Sequence, residues 1–287
     1  MRELEQDFGS PFRIRYSVTE NVDAVSKIDH PAVRELLQIY KVAGPIELNH
    51  MTDLPSRSGM GSSSAFVVGL SSILEKSRGT DKENLELAKL AIDIEQNVLK
   101  ENIGYQDSIT TAVGGFNLIK FTKGSNDFNV SSLEQSRVFL DNLAKNLVLV
   151  HVPKQRIASE IAAHQILQMS EHAGELNELA GIAESAYQGI LSNSMTIKEV
   201  GQLLYYSWEI KKKQSSYISN NEIDSLCLEI MNFGAYGVKL LGAGAGGFIL
   251  TVLPEGALSS FRKKFSSQRI TEFTWDYSGN RLYRIAE

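Results

Sequence analysis

The sequence contains one cysteine, Cys227, so no disulfide can form within the chain. This excludes the small scaffolds that depend on disulfides for their stability, and it fits a reducing compartment. Cys227 stands between two leucines, and no His or Lys lies beside it to activate the thiol. We therefore predict a buried thiol with a structural role.

Long apolar runs are absent as well. No stretch approaches the roughly 20 apolar residues that a membrane-spanning helix needs. The first seven residues are charged and acidic, unlike the basic start and apolar stretch of a secretory signal. From these features we expect a cytoplasmic protein with no membrane partner.

Positive charge is in deficit, with 29 Lys and Arg against 34 Asp and Glu and a net charge of −5. The basic residues are scattered, which argues against a nucleic-acid partner. The densest basic run, Lys211 to Lys213, lies in a helical pattern and is interpreted as a solvated helix face. The five histidines show no metal-ligand spacing.

The length and apolar content favour two domains, since 287 residues that are 43% hydrophobic can bury two modest cores. We place the boundary near residue 150, which gives domains over residues 1–150 and 151–287.

Periodicity predicts the order of the elements. Alternation of apolar and polar residues predicts strands over residues 11–18 and 46–51, and further strands are predicted over residues 116–121, 147–152, 247–253, 270–275 and 281–285. Helical patterns cover residues 30–40, 63–76 and 81–100 and most of 156–235, with breaks near 192–194 and 219–221. Asp29 is the predicted cap of the first helix.

A glycine- and serine-rich loop over residues 54–65 separates a predicted strand from a predicted helix. Backbone amides at a helix start and the helix dipole both favour a phosphate, and Gly59 and Gly61 permit close approach of a ligand. The predicted phosphate-binding residues are Pro55, Ser58, Gly59, Met60, Gly61, Ser62, Ser63 and Ser64. The loop matches neither a Walker A sequence nor a dinucleotide fingerprint, and a flexible turn is the alternative.

Two carboxylates follow this loop, Glu95 in the second helix and Asp107 twelve residues later in a loop. Magnesium prefers one or two carboxylates plus phosphate oxygens, a role that suits a helix carboxylate facing a nucleotide. A loop carboxylate can accept the proton of a hydroxyl that attacks a phosphate. The alternative is that both residues are surface acids. For Asp93, two residues before Glu95, we predict a surface acid.

A second glycine loop over residues 239–248 joins a predicted helix to a predicted strand. Four glycines in six residues are entropically costly, and a close backbone approach explains them. The predicted ligand-binding residues here are Gly242, Ala243, Gly244 and Gly246. A helix C-cap followed by a tight turn is the alternative.

Taken together, these motifs resemble the GHMP small-molecule kinases. Pro55-x-x-x-Gly59-x-Gly61 with its serines resembles the family's second signature, and the loop at Gly242 resembles its third, with Ala245 where glycine is commonest. Gly104-x-Gln106-Asp107, followed by two glycines, resembles the segment that carries the family's catalytic aspartate. The resemblance implies ATP and Mg²⁺ as cofactors, Ser63 and Glu95 as metal ligands, and Asp107 as a base or substrate-orienting residue.

The family also implies the fold and the substrate. The expected fold is α+β, with an N-terminal domain like ribosomal protein S5 domain 2 and a ferredoxin-like C-terminal domain. Stretches at residues 13–17, 20–23, 28–31 and 207–213 resemble members acting on heptose phosphates. The implied reaction is phosphorylation of the anomeric hydroxyl of a sugar or sugar phosphate, with D-glycero-D-manno-heptose 7-phosphate as the expected small-molecule partner. Fucose, galactose and an octose are the alternative substrates.

The sequence departs from the family at its start, where a Pro-x-Arg strand and a Gly-Gly-Gly-x-Asp segment are expected but absent. By resemblance about fifty residues are missing. A fragment, a mis-started frame and a natural short form are all compatible with this, and the first sheet is expected to expose an edge. The alternative function is a nucleotide-binding protein without catalysis.

Overall fold

The computed structural model describes residues 1–4, 9–54, 58–125, 127–153 and 172–284. The chain forms two compact units. The first comprises Met1–Ser56, Gly61–Val113 and Gly279–Glu287, and the second comprises Arg57–Met60 and Gly114–Ser278. The first glycine loop therefore divides between the units, and the boundary near residue 150 stays a prediction.

The first unit contains a four-stranded mixed sheet with the strand order β1-β4-β2-β3. Its strands are β1 (Arg2–Glu3), β2 (Phe12–Arg15), β3 (Thr19–Val22) and β4 (Ile46–Asn49). The predicted alternation is confirmed in β2, where Phe12 and Ile14 are buried between less buried arginines. Strands β2 and β4 run parallel, with Phe12 opposite Ile46.

The connection between β3 and β4 contains helix α1 (Pro31–Ile39). Proline at its first position suits a helix start, since that amide has no intrahelical partner. The predicted cap, Asp29, is wrong. The imidazole of His30 accepts the amide hydrogen of Val33 at 3.5 Å, whereas the Asp29 amide donates to the buried carboxylate of Glu20 at 2.5 Å.

Three further helices complete the first unit: α2 (Ser62–Ser77), α3 (Asn84–Asp93) and α4 (Gln106–Val113). Helix α2 buries Val67, Leu70 and Leu74, as its small apolar sequence predicts. The predicted second helix is confirmed, but it ends in a π-helical turn over Ile94–Val98. Such turns widen the helix by one residue and occur often at functional sites.

The second unit is built on an antiparallel sheet of order β10-β7-β9-β8 and a separate β5-β6 hairpin. The strands are β5 (Asn117–Phe121), β6 (Phe128–Ser132), β7 (Leu147–Val152), β8 (Gly237–Leu240), β9 (Gly247–Val252) and β10 (Ile270–Thr271). The predicted strand at 270–275 is thus shorter, residues 281–284 are not a strand, and β6 and β8 were not predicted.

Its described helices are α5 (Arg137–Lys145), α6 (Ala173–Leu191), α7 (Ile197–Lys213), α8 (Asn221–Phe233) and α9 (Leu258–Lys264). The predicted helical region and both of its breaks are confirmed from residue 173 onward. Most of residues 156–172 lie outside the described part of the chain. Helices α5 and α9, with nine and seven residues, were not predicted.

The core of the second unit forms around buried residues such as Trp208, Ile230 and Phe261. Cys227 belongs to this core, which confirms the predicted buried thiol. Burial raises the pKa of Cys227 to about 12, so the thiol stays protonated at neutral pH. Among the described residues, no helix has the length and apolar character needed to cross a membrane.

Candidate functional site

The N-terminus of helix α2 is the candidate segment of the first unit. Its N-cap, Gly61, has a left-handed backbone with φ of 68°, and no side chain caps the helix. The first amides of a helix lack intrahelical acceptors, and together with the helix dipole they attract an anion. The helix start thus has the properties predicted for a phosphate-binding segment.

Asp107 lies against this helix start. An ideal Cβ atom on Gly61 would lie 3.4 Å from the Asp107 carboxyl carbon, which is an ordinary contact distance, so the Asp107 side chain lies directly beside the helix start. Asp107 is exposed and occupies the first turn of α4, not a loop as predicted. The fold therefore places an accessible carboxylate beside the amides at the start of α2.

Glu95 lies in the π-helical turn and has no exposed surface. One carboxylate oxygen accepts the hydroxyl hydrogen of Ser64 at 2.8 Å, and the other accepts a hydrogen bond from Ser108. Burial raises the pKa of Glu95, while the two hydroxyl hydrogen bonds act in the opposite direction. The negative charges of Glu101 and Asp107 also raise this pKa.

The serine bonded to Glu95 is Ser64, whereas the predicted partner in metal binding was Ser63. Ser63 is exposed and forms no hydrogen bond with Glu95 in the described structure. Ser108 was not predicted as a site residue at all. Its position directly after Asp107, at a helix start, was the available signal.

The second unit contains a candidate segment of its own, where Ser58–Met60 packs against the second glycine loop. A methyl group on Gly242 would lie 2.7 Å from the Gly59 Cα atom, and one on Gly247 would lie 2.3 Å from the Ser58 carbonyl oxygen. Both distances are too short for a side chain, so the close backbone approach predicted for this loop is present.

Ser58 is buried, and its hydroxyl has no hydrogen-bond partner among the described residues. A buried hydroxyl without a partner costs about 1–3 kcal/mol. The group is therefore available to a ligand oxygen, which fits its predicted role. Met60, two residues later, is 37% exposed. Pro55, the first predicted residue of this loop, lies outside the described residues.

The second glycine loop connects strands β8 and β9, so the predicted direct connection from a helix is wrong, because β8 lies between helix α8 and the loop. The loop is anchored by the Ala245 amide, which donates to the Ile218 carbonyl at 2.9 Å. Ala245 is buried with a left-handed φ of 58°, the conformation that favours the commoner glycine. Gly244 and Gly246 both have φ of 130°, and Ala243 packs against the core.

Comparison with known proteins gives a consistent result over both units. Residues 25–115 match the family described as GHMP kinases N terminal domain, and residues 189–270 match GHMP kinases C terminal. The D-glycero-alpha-D-manno-heptose 7-phosphate kinase of Campylobacter jejuni is 28% identical over 249 residues, which cover 83% of this chain and 70% of that protein. The mevalonate kinase of Methanothermobacter thermautotrophicus is 25% identical over 222 residues, which cover 76% of this chain and 68% of that protein.

Solved structures share the fold. A D-glycero-D-manno-heptose 1-phosphate kinase from Bacteriodes thetaiotaomicron superposes with a TM-score of 0.72 at 19% identity, covering 95% of this chain and 84% of that one. A Lactococcus lactis galactokinase complexed with galactose superposes with a TM-score of 0.68 at 16% identity, and the match covers 97% of this chain and 84% of that one.

Proposed function

This chain belongs to the GHMP kinases and is an ATP-dependent phosphotransferase with the α+β fold of that family, and we propose that its acceptor is the anomeric hydroxyl of a sugar phosphate. The substrate we propose is D-glycero-D-manno-heptose 7-phosphate. Support for this sugar comes from the similarity to the Campylobacter jejuni heptose 7-phosphate kinase and from the stretches at residues 13–17 and 207–213.

The observation that carries the proposal is the Asp107 carboxylate lying against Gly61 at the start of α2. Phosphoryl transfer requires an acceptor hydroxyl next to a phosphate held by electrostatic contacts. The helix amides supply these contacts, and Asp107 accepts the hydroxyl proton or orients the hydroxyl. The acceptor oxygen bonds to the γ-phosphorus, the bond to ADP breaks, and the proton passes toward Asp107.

We propose that Mg²⁺ binds through Glu95 and the hydroxyl of Ser63. The oxygen-rich donors around Glu95 fit this hard cation, and each carboxylate oxygen that accepts one hydroxyl has a further acceptor position. The ion would neutralise charge on the transferring phosphate. Ser64 and Ser108 then fix the Glu95 carboxylate in place.

We propose two nucleotide-contacting segments. One is the first glycine loop, residues 55 and 58–64, where glycine backbone and serine hydroxyls supply hydrogen-bond donors. The other is the second glycine loop at Gly242, Ala243, Gly244 and Gly246, as the family resemblance implies. The partnerless hydroxyl of Ser58 supports a ligand beside the first of them.

The decisive experiment measures ADP release with purified protein, ATP and Mg²⁺ against a panel of acceptors. The panel contains D-glycero-D-manno-heptose 7-phosphate, the unphosphorylated heptose, galactose, fucose and mevalonate. We expect the heptose 7-phosphate to give the highest kcat/KM, with the new phosphate on the anomeric carbon by ³¹P NMR. A higher kcat/KM with another acceptor would replace this substrate, and ATP binding without turnover on any acceptor would reject catalysis.

A further inference from the structure

Lys239 is a basic residue with no counter-charge among the described residues. It lies on β8, three residues before Gly242, and is half-buried. Its ammonium donates to the Ser207 hydroxyl at 2.9 Å, and no carboxylate of the described residues forms an ion pair with it. Removal from water lowers the pKa of Lys239. A desolvated cation without a counter-charge is costly, so an anionic ligand is the natural complement.

A neighbouring lysine, in contrast to Lys239, has counter-charges. Lys212, on the neighbouring helix α7, pairs with Glu209 at 2.7 Å and lies 3.6 Å from Asp224. The charge of Lys212 is therefore compensated within the protein. In the described part of the chain, the partner of the Lys239 ammonium is the neutral hydroxyl of Ser207.

A second ammonium group reaches the same region. Lys211 lies one helical turn after Ser207, so the two residues share a face of α7. The Lys211 ammonium donates to the carbonyl of Gly242 at 2.5 Å. Helix α7 and strand β8 thus bring two lysines and one hydroxyl to the start of the second glycine loop. This corrects the interpretation of residues 211–213 as a uniformly solvated face.

We propose that Lys239, together with Lys211 and the Ser207 hydroxyl, binds a phosphate group of a ligand. A phosphate dianion offers several acceptor oxygens, which match the three donors of each ammonium. The identity of the ligand rests on the proposed function, which offers two sources of this chemistry. These are the terminal phosphate of the sugar phosphate and the phosphates of the nucleotide.

The test is Lys239→Met, which keeps the length and apolar stem of the side chain and removes the charge. Lys263→Met is the matched control, because Lys263 is an exposed lysine of α9. Calorimetry measures the Kd of each variant for ATP, for D-glycero-D-manno-heptose 7-phosphate and for the unphosphorylated heptose.

We expect Lys239→Met to raise the Kd of one phosphate-bearing ligand by about tenfold or more, the effect of a charged hydrogen bond. A change confined to the heptose 7-phosphate identifies the sugar phosphate as the ligand, and a change confined to ATP identifies the nucleotide. Lys239→Arg, which keeps the charge, is expected to retain most of the affinity. Unchanged Kd values for both ligands in Lys239→Met would overturn the proposal.

Thermal unfolding separates a binding role from a structural one. Removal of an uncompensated charge is expected to leave the Tm of the ligand-free protein unchanged or raised, while the ligand-induced rise in Tm shrinks. A fall in the ligand-free Tm with unchanged Kd values contradicts the proposal. Binding without turnover in the unmodified protein rejects the proposed function, yet leaves the Kd comparison valid.

Discussion

The backbones of Gly59 and Gly242 face each other with no room for a side chain. A Cβ atom on Gly242 would lie 2.7 Å from the Gly59 Cα atom, and one on Gly59 would lie 3.2 Å from the Leu241 carbonyl oxygen. Gly59 has φ of 77° and Gly242 has φ of 70°, so both also occupy the left-handed region. The segment Ser58–Met60 and the second glycine loop are therefore a single packed structure.

This contact predicts that Gly242→Ala destabilises the protein more than Gly256→Ala. Gly256 has a similar φ of 74° but open space around it, so both variants carry the left-handed cost of about 1–2 kcal/mol. Only Gly242→Ala adds overpacking, about 1–3 kcal/mol in the free energy of unfolding. Urea denaturation measures the difference, and kcat/KM for ATP is expected to fall in Gly242→Ala alone. Equal stabilities would show that the loop yields to the methyl group.

The position of Asp107 predicts that Asp107→Asn lowers kcat by about two to four orders of magnitude, because the amide cannot accept the hydroxyl proton. Asp93→Asn is the control, since Asp93 is exposed and, among the described residues, its carboxylate accepts a hydrogen bond only from Asn97 one turn away. Its kcat is expected to stay unchanged. Steady-state kinetics with the preferred acceptor make the comparison, and undiminished turnover in Asp107→Asn removes the assigned role.

The hydroxyls around Glu95 predict that Ser108→Ala lowers both stability and kcat. The substitution leaves one oxygen of a fully buried carboxylate without its hydrogen bond, at a cost of about 1–3 kcal/mol in the free energy of unfolding. Ser77→Ala is the control, because Ser77 only donates to the Leu74 carbonyl at the end of α2. If kcat responds equally to both variants, Ser108 does not position Glu95.

The lowered pKa of Glu47 predicts that the folded protein loses stability at acid pH. Hydrogen bonds from Asn49 and then Arg2, with the charge of Arg15, lower the pKa of Glu47 from 4.5 to about 2. Between these values the unfolded chain binds more protons than the folded chain, so the folded state loses stability as the pH falls.

Glu47→Gln tests this by comparison with the unmodified protein in urea denaturation from pH 6 to pH 2. The stability difference between the two proteins is expected to be constant above the unfolded pKa of 4.5 and to shrink toward pH 2. Glu255→Gln, at an exposed carboxyl outside the sheet, is the control. A difference independent of pH would contradict the lowered pKa.

Two helical glycines predict opposite effects of the same substitution. A methyl group on Gly201 in α7 would lie 2.6 Å from the Tyr236 Cβ atom, while Gly181 in α6 is exposed with open space around it. Gly201→Ala is expected to destabilise by about 1–3 kcal/mol through overpacking. Gly181→Ala is expected to stabilise by about 0.5–1 kcal/mol through helix propensity. Thermal unfolding measures the change in stability of both variants. A change in the same direction in both would contradict the packing at Gly201.

Local sequence predicted the longer elements well. Helix α2 and strand β7 carry clear apolar patterns, and the breaks in the helical region coincide with polar segments. The predicted cap Asp29 failed because the helix begins at Pro31, so His30 is the N-cap and its imidazole accepts the Val33 amide hydrogen. Strand β8 was missed because its four residues continue directly into the glycine loop.

Some features of the candidate functional residues were likewise predictable from the sequence, and others were not. Glycine content identified both loops, and the resemblance of the neighbouring residues to the GHMP kinases identified Glu95 and Asp107. The sequence could not show that Ser64 and Ser108 both reach Glu95, since these residues are separated by many positions. It also could not show that Lys239 lacks a counter-charge, because pairing depends on which side chains the fold brings near.

The sequence by itself determined which functional groups are available. These are glycine backbone that permits close approach, serine hydroxyls, and two carboxylates in motifs that resemble the GHMP kinases. These follow from residue type and short-range pattern. The tertiary structure alone decided that Gly59 meets Gly242, that Asp107 lies against the start of α2, and that Glu95 is buried between two hydroxyls. Such contacts depend on the packing of helices and strands far apart in the chain, which no local pattern specifies.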